Sequence, residues 1–417
     1  MNNNDELLNI MKGSNEKNGT NPRKFSILEV IVILIISITI GLSLGIILTG
    51  KNRKLEPIKE EYDKYLENFI ESYNYIVDNY YEEVDKEKLI NSAIEGMTNS
   101  LDDPYSAYIS DDEMNNFNIS LNGSYQGLGI SIVKDPETNY IMIYSIFKDS
   151  PADKAGLEVT DLIKTINGEE TNEVDLTEFS NRILNGNQTS YKLTIIRNNE
   201  EFEVEINKEN VVIDSVASQL IEKDNKKIGY IYISIFASNT AEQFKTKLEE
   251  LENQNIDALI IDVRSNTGGH LISVDAILKT LLTDKQITYR LSENDKIKNY
   301  YGQLKKNKDY QIVLLGDSFS ASASEVLISS LKENLGAKLI GEKTFGKGTV
   351  QELITMQNGV QYKITTQKWL TPNGNWVNDT EGILPDIEVK INEKYYETYD
   401  QSDDNQLQEA INYILNN

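Results

Sequence analysis

Residues 316–325, GDSFSASASE, follow the apolar run at 312–315 and precede the helical pattern EVLISSLKENL. A buried strand that turns through small residues into a helix is typical of an α/β fold. The free N–H groups and the dipole at such a helix start favour developing negative charge, which suits a serine that attacks a carbonyl carbon. Serines at such a corner are also ordinary helix caps. Since Ser320, Ser322 and Ser324 share one strand-like period, the stretch indicates a nucleophile site without choosing its serine.

A lysine between two glycines follows at residues 341–351, GEKTFGKGTVQ. The segment nearly matches the phosphate-binding pattern GxxxxGKS or GxxxxGKT, but Gly348 stands where a hydroxyl should bind magnesium. Strand-like residues follow it rather than a helix, so a nucleotide site is rejected. Burial lowers the pKa of a lysine, and its neutral amine can then act as a general base toward a serine. Lys347 is therefore a candidate base, with an exposed loop lysine as the ordinary alternative.

A third polar segment, residues 262–269 (DVRSNTGG), ends a buried strand. Its paired glycines, Gly268 and Gly269, permit positive φ and let backbone N–H groups approach a ligand, as an oxyanion requires. His270 follows at once, so a Ser-His pair has to be weighed. No convincing order of partners supports that pair, and His270 also suits a helix start or the surface.

Composition excludes several other classes of function. The formal net charge of −25 argues against nucleic acid as a partner. The chain has no cysteine and a single histidine, which excludes disulfides, thiolate metal sites and zinc sites built on several imidazoles. We therefore expect no metal and no cofactor. The length of 417 residues predicts two or three folded units.

Residues 30–50, VIVILIISITIGLSLGIILTG, form an uncharged apolar run. About 20 apolar residues span a bilayer as a helix, so this run is predicted to be a membrane anchor. A buried core helix and a cleaved signal peptide are the alternatives, but no small-residue cleavage site is evident. Lysines and arginines are nearly balanced on the two sides of the run, and charge counting does not set its orientation.

The rest of the chain falls into three regions. Residues 55–120 are predicted to be helical, with one helix over 86–100 that ends before Pro104. Residues 121–210 carry short β-rich runs, turn signals at Asn167-Gly168 and Asn198-Asn199, and one helix over 176–184. From residue 212 strands alternate with helices, which predicts an α/β domain with one layer of sheet covered by helices.

These motifs together resemble the carboxyl-terminal processing proteases, the tail-specific Ser/Lys family with an embedded PDZ domain. The matching stretches occur in family order and cover residues 60–415. They are LDDPYS at 101–106, GLGI at 127–130, SPADKAGL at 150–157, DVRSNTGG at 262–269, SASASE at 320–325, TFGKGTVQ at 344–351, TPNG at 371–374 and GILPD at 382–386. Among the departures from the family pattern, Thr160 and Thr267 replace a glycine and a proline.

The resemblance implies a role for each of the site residues. Ser322 would be the nucleophile, Lys347 the base and Gln351 the residue that orients the base. Gly268 or Gly269, together with the Ala323 amide, would form the oxyanion hole. The protease core would be a crotonase/ClpP-like α/β domain.

The resemblance also implies that a PDZ domain binds the substrate's terminal carboxylate. Its loop would consist of Gly127, Leu128, Gly129 and Ile130, whose backbone N–H groups face the carboxylate. Arg182 would lie beside this groove, in reach of the substrate or the protease domain. Asn185 stands where many relatives carry an arginine.

The predicted fold is therefore an α/β (α+β) multidomain chain. Its parts are a cytoplasmic tail (1–24), a transmembrane anchor (25–50), a helical N-terminal region (51–118), the PDZ domain (119–210), the Ser/Lys protease core (211–390) and a C-terminal helical segment (391–417). We expect an extracytoplasmic, single-pass serine endopeptidase that acts on proteins with accessible C-terminal tails, and a homodimer by analogy with the family. The rival interpretation is a membrane-anchored PDZ scaffold without proteolytic activity.

Overall fold

The computed structural model of the protein describes residues 60–109, 114, 121–356, 360–398 and 400–417. The predicted membrane anchor and the tail before it lie outside these residues. Within the described ranges, no helix has the length and apolar character needed to cross a bilayer. The chain divides into two units, Met1–Leu89 and Ile90–Asn417.

The helices and strands are numbered in chain order. The helices are α1 Glu60–Asn79, α2 Lys86–Asn99, α3 Pro151–Lys154, α4 Leu176–Leu184, α5 Thr240–Glu252, α6 Leu271–Leu281, α7 Ala323–Leu335, α8 Glu393–Thr398 and α9 Asn405–Asn416. The strands are β1 Ala107–Ile109, β2 Ser124–Gly127, β3 Ile130–Lys134, β4 Ile141–Ile146, β5 Leu162–Ile166, β6 Glu169–Glu170, β7 Ser190–Arg197, β8 Glu200–Asn207, β9 Glu209–Val212, β10 Val216–Lys223, β11 Lys226–Ile233, β12 Ala258–Asp262, β13 Ile287–Glu293, β14 Lys296–Tyr301, β15 Gln311–Gly316, β16 Lys338–Gly341, β17 Thr349–Thr355, β18 Gln361–Leu370 and β19 Ile387–Glu388. A short 3-10 helix covers Val377–Thr380.

The boundary between the two units falls within α2, so the first unit contains α1 and only the start of α2. Helix α1 confirms the prediction of helix for residues 60–79, and several of its large side chains are exposed, among them Phe69, Ile70 and Tyr75. Helix α2 begins after Asp85, whose carboxylate accepts the Lys88 N–H at 3.0 Å, and it ends one residue before the predicted boundary.

The β-rich domain forms around the sheet β3-β4-β5-β7-β8, with β6 paired to β5. Its core consists of side chains that alternate inward along the strands, such as Ile141, Ile143 and Leu193, each fully buried. The two predicted turns are confirmed by positive φ at Asn167-Gly168 and at Asn198-Asn199. Strands β2 and β9 pair with each other outside this sheet, so the chain enters and leaves the domain through a two-stranded neck.

The central sheet of the α/β domain has the order β10-β11-β12-β15-β16-β19. Strand β10 is antiparallel to β11, and the remaining pairs are parallel. Helices α5, α6 and α7 supply the apolar residues of one core, which includes Ile261 and Leu314. Helix α9 packs on the other face, against Ile260 and Val313. The parallel order brings the carboxyl ends of β12 and β15 side by side, where the two polar loops begin.

A second sheet, β1-β18-β13-β14 with β17 beside β18, departs from the prediction of one layer. The prediction of helix was also wrong for residues 107–109, which form β1 and pair with β18 at Ala107↔Lys363. Three residues are too few to display the two-residue period of a strand, and their partner lies far along the chain. The N-terminal region thus contributes a strand to the sheet that carries the lysine turn.

Candidate active site

A cavity of about 660 Å³ lies where the loops after β12 and β15 meet the start of β17. Its lining includes Gly268, Gly269, His270, Ser322, Ala323, Lys347 and Gln351. The structure therefore brings together the predicted nucleophile, base and oxyanion residues, which come from three separate segments. Apolar side chains complete the wall, among them Leu121, Ile235, Leu271 and Trp369.

Ser322 occupies the corner between β15 and α7. Its backbone has φ 56° and ψ −112°, a conformation that a residue with a side chain rarely adopts. Such strain is often found at functional sites, where the surrounding structure holds it in place. The corner points the half-buried serine into the cavity, at the N-terminus of the helix.

The structure separates the three serines that the sequence left equivalent. Ser320 and Ser324 are fully buried. The Ser320 hydroxyl donates to the Val263 carbonyl at 2.8 Å, and the Ser324 hydroxyl donates to the Asn266 carbonyl at 2.8 Å. Both hydroxyls thus link the turn between β15 and α7 to the loop after β12 through hydrogen bonds. Of the three serines, only Ser322 lines the cavity.

The two glycines of the loop after β12 differ in their backbone hydrogen bonds. The Gly268 N–H donates to the Asn266 side-chain oxygen at 2.9 Å. The N–H groups of Gly269 and Ala323 have no acceptor among the described residues. Both residues line the cavity beside Ser322, so this pair fits the oxyanion role better than a pair that uses Gly268.

Glu325, one turn into α7, joins the serine corner to the lysine turn. Its Oε2 accepts the backbone N–H of Ser322 at 2.9 Å and that of Lys347 at 2.8 Å. Its Oε1 accepts the Thr344 hydroxyl at 2.6 Å and the Gly346 N–H at 2.7 Å. Burial raises the pKa of Glu325, and these four hydrogen bonds oppose that effect. Glu325 was not among the predicted site residues, although Ser-x-x-Glu before a helix is a capping-box signal.

Lys347 lies half-buried in the cavity wall. The pKa of its ammonium is lower than the ordinary value of a lysine, chiefly because of burial and also because of the positive charge of Lys363. The charges of Asp103 and Glu325 act in the opposite direction. The direction agrees with the expectation for a lysine that acts as a base at moderate pH.

The amine of Lys347 lies over an aromatic ring. Its Nζ is 4.5 Å from the centroid of Tyr105, a residue of the LDDPYS stretch that precedes β1. Tyr105 was not among the predicted site residues, although its stretch is one of those that match the family pattern. The turn at Pro104 was visible in the sequence, but its contact with residue 347 depends on the pairing of β1 with β18.

Gln351 lines the same cavity, but its hydrogen bonds differ from the expected ones. Its side-chain amide donates to the hydroxyls of Thr349 and Thr365, at 2.9 and 3.0 Å. The Gln351 side chain is therefore held by hydrogen bonds to threonines of β17 and β18, and it forms no hydrogen bond with the amine of Lys347 in this structure.

His270 precedes α6 and lines the cavity. Burial lowers the pKa of its imidazole, and a hydrogen bond to the backbone of Leu121 acts in the opposite direction. The ring is thus tied to the segment that leads into the β-rich domain. None of its hydrogen bonds joins it to Ser322 within the described part of the chain.

The β-rich domain has its own groove, of about 140 Å³, between β3 and α4. Leu128, Gly129 and Ile130 lie along it with Phe179 and Ile183, whereas Gly127 pairs with Glu209 in the neck. Gly129 has φ 77°, and a Cβ there would meet the Ser150 side chain. Arg182 lies on α4, the helix that flanks this groove, as predicted, and its guanidinium pairs with Glu169 and Glu178 of its own domain.

Three family sequence profiles match the chain. The profile of peptidase family S41 matches residues 227–389, that of a PDZ domain matches 127–207, and that of the N-terminal domain of the activating protease CtpB matches 48–113. Over 360 residues the chain is 38% identical to the carboxy-terminal processing protease CtpB of Bacillus subtilis, covering 86% of this chain and 73% of that protein. It is also similar to the carboxy-terminal processing protease CtpA of the same organism, with 31% identity over 372 residues, 87% of this chain and 78% of that one.

A solved structure of an S41 protease from Bacteroides fragilis is similar in fold. It covers 77% of this chain and 90% of its own, with a TM-score of 0.51 and 17% sequence identity. At that identity the likeness concerns the fold alone.

Proposed function

The chain belongs to peptidase family S41, as a carboxy-terminal processing serine protease with a PDZ domain, and we propose that Ser322 is its nucleophile and Lys347 its general base. One observation carries the assignment. The two residues line one cavity, and the buried carboxylate of Glu325 accepts the backbone N–H of both. No observation favours the inactive scaffold.

The proposed reaction has two stages. The Ser322 hydroxyl attacks the carbonyl carbon of the scissile bond while its proton passes to the neutral amine of Lys347. The carbonyl oxygen becomes an oxyanion that the N–H groups of Gly269 and Ala323 stabilise. The C–N bond then breaks, the leaving amine takes the proton from Lys347, and an acyl-enzyme remains. Water attacks the ester with Lys347 again as base, which releases the new C-terminus and restores the serine.

The test is cleavage of an unstructured protein by the full chain in detergent. Ser322→Ala and Lys347→Ala should each lower kcat/KM by about a thousandfold or more, as loss of a nucleophile or its base does elsewhere. Ser318→Ala, at an exposed position of the same turn, and His270→Ala are the matched controls and should stay within tenfold of the parent. Activity that survives Ser322→Ala in a folded protein would contradict the assignment.

The groove of the PDZ domain is proposed to select the substrate tail. Its lining is largely apolar and its loop presents backbone N–H groups, which supports binding of a free carboxylate that follows an apolar side chain. Leu184→Glu places a negative charge at the groove and should raise KM for such a peptide while kcat changes little. Amidation of the peptide's C-terminus should have the same effect on the parent. A peptide that is cleaved equally well with and without its carboxylate would contradict this proposal.

The membrane location is also a proposal. It rests on the apolar run at residues 30–50 and on the family resemblance, with the tail before the run in the cytoplasm. The chain has no cysteine, so single cysteines can report the two sides. On intact cells a membrane-impermeant thiol reagent should label Lys192→Cys, an exposed position, and should not label Asn3→Cys. The reverse pattern would contradict the orientation.

A homodimer is proposed as well, supported by the exposed apolar side chains of α1. The full chain in detergent should sediment as a dimer, and the double variant Phe69→Ser, Ile70→Ser should sediment as a monomer. A parent that is monomeric at micromolar concentration would contradict the proposal.

A further inference from the structure

The amine of the proposed base is in contact with the face of a tyrosine ring. The Nζ atom of Lys347 lies 4.5 Å from the ring centroid of Tyr105, and both side chains are partly buried. An ammonium over a ring face is attracted by the negative centre of the ring, and the attraction grows when water is excluded. A neutral amine carries no such charge, so the attraction depends on the protonation state of the lysine.

The ring of Tyr105 is held by its own turn. Asp103 accepts the Tyr105 N–H at 3.1 Å and the Ser106 hydroxyl at 2.6 Å. The Ser106 oxygen in turn accepts the backbone N–H of Thr365, in β18, at 3.0 Å. Because β1 follows directly and pairs with β18, the turn is fixed on the sheet beside the lysine turn.

We propose that Tyr105 is a positioning residue for Lys347, whose ring face retains the protonated amine and releases the neutral amine toward Ser322. This inference rests on the proposed role of Lys347 as the base. Loss of the proton both creates the base and removes its attraction to the ring. The proton that Lys347 takes from Ser322 restores that attraction until the amine passes the proton to the leaving group. The attraction returns when water gives its proton to Lys347 and ends when that proton goes back to Ser322.

The charged groups around Lys347 determine the expected sign of the effect. Asp103 and Glu325 favour the ammonium, while burial and Lys363 disfavour it. The ring of Tyr105 is a further favourable contact for the ammonium. Weakening the ring face should therefore lower the pKa of Lys347 and move its deprotonation to lower pH.

The experiment titrates the amine directly in the Ser322→Ala chain, which cannot react. The full-length protein in detergent is pulsed with acetic anhydride at a series of pH values, and acetylation of Lys347 is quantified by mass spectrometry. Position 105 carries tyrosine, phenylalanine, or phenylalanine with one, two or three ring fluorines. These replacements keep the shape of the ring, while fluorination withdraws negative charge from its face. They therefore change the attraction between the ring and the ammonium without disturbing the packing that the fold requires.

Phenylalanine should leave the midpoint of the titration within about 0.2 pH units of the parent, because its ring face remains. The fluorinated rings should lower the midpoint stepwise, by about half a pH unit to one pH unit for three fluorines. Tyr108→Phe and its trifluorinated counterpart are the matched control, since Tyr108 lies in β1 against Tyr362, and they should not change the midpoint. In the active chain, the midpoint of the acid limb of the kcat/KM–pH profile should shift by the same number of pH units as the midpoint of the amine titration.

A midpoint that stays constant across the fluorinated series, or that rises, would overturn the inference. The amine titration does not require that Lys347 be the base. If Lys347→Ala kept its activity, the proposed function would fail while the titration would still decide whether the ring holds the amine.

Discussion

The backbone N–H groups of Ser322 and Lys347 donate to one and the same oxygen, Oε2 of Glu325. This shared acceptor fixes the distance between the serine corner and the lysine turn without engaging either side chain. The hydroxyl and the amine therefore remain available for the reaction, while their backbones are held by a carboxylate inside the core. Stability of the fold and alignment of the two proposed catalytic residues thus depend on one side chain.

Glu325→Gln should damage both properties. A glutamine side chain has one accepting oxygen and one donating amide, whereas all four contacts of Glu325 are donors. At least two of these donors would lose their acceptor, at a cost of about 2–4 kcal/mol in the free energy of unfolding. Urea denaturation and kcat/KM measure the two effects. Glu333→Gln, farther along α7, is the control and should be neutral; an unaltered Glu325→Gln variant would show that the shared acceptor is dispensable.

Gly268→Ala should displace the nucleophile. A Cβ at this position would lie 2.9 Å from the Cβ of Ser322 and 2.9 Å from the Ala321 carbonyl oxygen, at φ +107°. A shift of about 1 Å at a reacting group can cost about a hundredfold in rate, so we expect kcat to fall to that extent. Gly374→Ala is the matched control, because Gly374 has φ +90° and open space around its Cβ. Both variants should lose some stability, but only the first should lose activity; equal kcat values would refute the steric argument.

Lys363→Gln should change the pH dependence of the reaction. The proposed reaction requires the neutral amine of Lys347, so kcat/KM should rise with pH through the pKa of that group. The positive charge of Lys363 lowers this pKa. Its removal should raise the pKa, and the half-maximal point should move upward, by up to about one pH unit. Lys192→Gln, in the PDZ domain, removes the same charge at a distance and should leave the profile unchanged. If the kcat/KM profile of Lys363→Gln shifted toward lower pH, the rise of activity with pH could not be assigned to deprotonation of Lys347.

Asp404→Asn should destabilise the fold through the charge cluster at the start of the C-terminal helix. Arg264 donates to Asp404 at 2.9 and 2.8 Å, and the side chains of Arg264, Asp404 and Asp262 are 11%, 2% and 1% exposed. Removing one charge of a buried cluster costs about 3 kcal/mol or more, because the arginine loses part of its compensation. Thermal and urea denaturation measure this cost. Asp284→Asn breaks a pair in which Lys305 is 88% exposed, and it should cost far less, because solvent screens an exposed pair. Equal costs for the two variants would contradict the role of burial.

Local patterns in the sequence predicted much of this architecture. The helix over 176–184, the turns at Asn167-Gly168 and Asn198-Asn199, and the strand after Lys347 all follow from periodicity or turn chemistry. The candidates for nucleophile, base and oxyanion donors were likewise visible as motifs, and the structure places them around one cavity.

What the sequence did not predict depends on contacts between distant segments. Strand β1 is too short to have a pattern, and its partner β18 lies beyond the whole PDZ domain. The contact of Tyr105 with Lys347 follows from that pairing and could not be anticipated without it. Ser322 differs from Ser320 and Ser324 because the hydroxyls of the latter two donate hydrogen bonds to carbonyls of the loop after β12. The spacing of the three serines in the sequence does not reveal this difference.

Because β2 and β9 pair in the neck, the PDZ domain is an insertion that joins the catalytic core through two adjacent strands. Gly127 stands opposite Glu209, so the chain leaves the catalytic core and returns to it at adjoining points. Neither sheet of the catalytic core draws a strand from residues 128–208. Duplication, loss or exchange of that stretch across the neck would therefore leave every strand pairing of the core intact. In evolution, the domain that binds substrate C-termini can therefore be replaced while the catalytic core and its chemistry are kept.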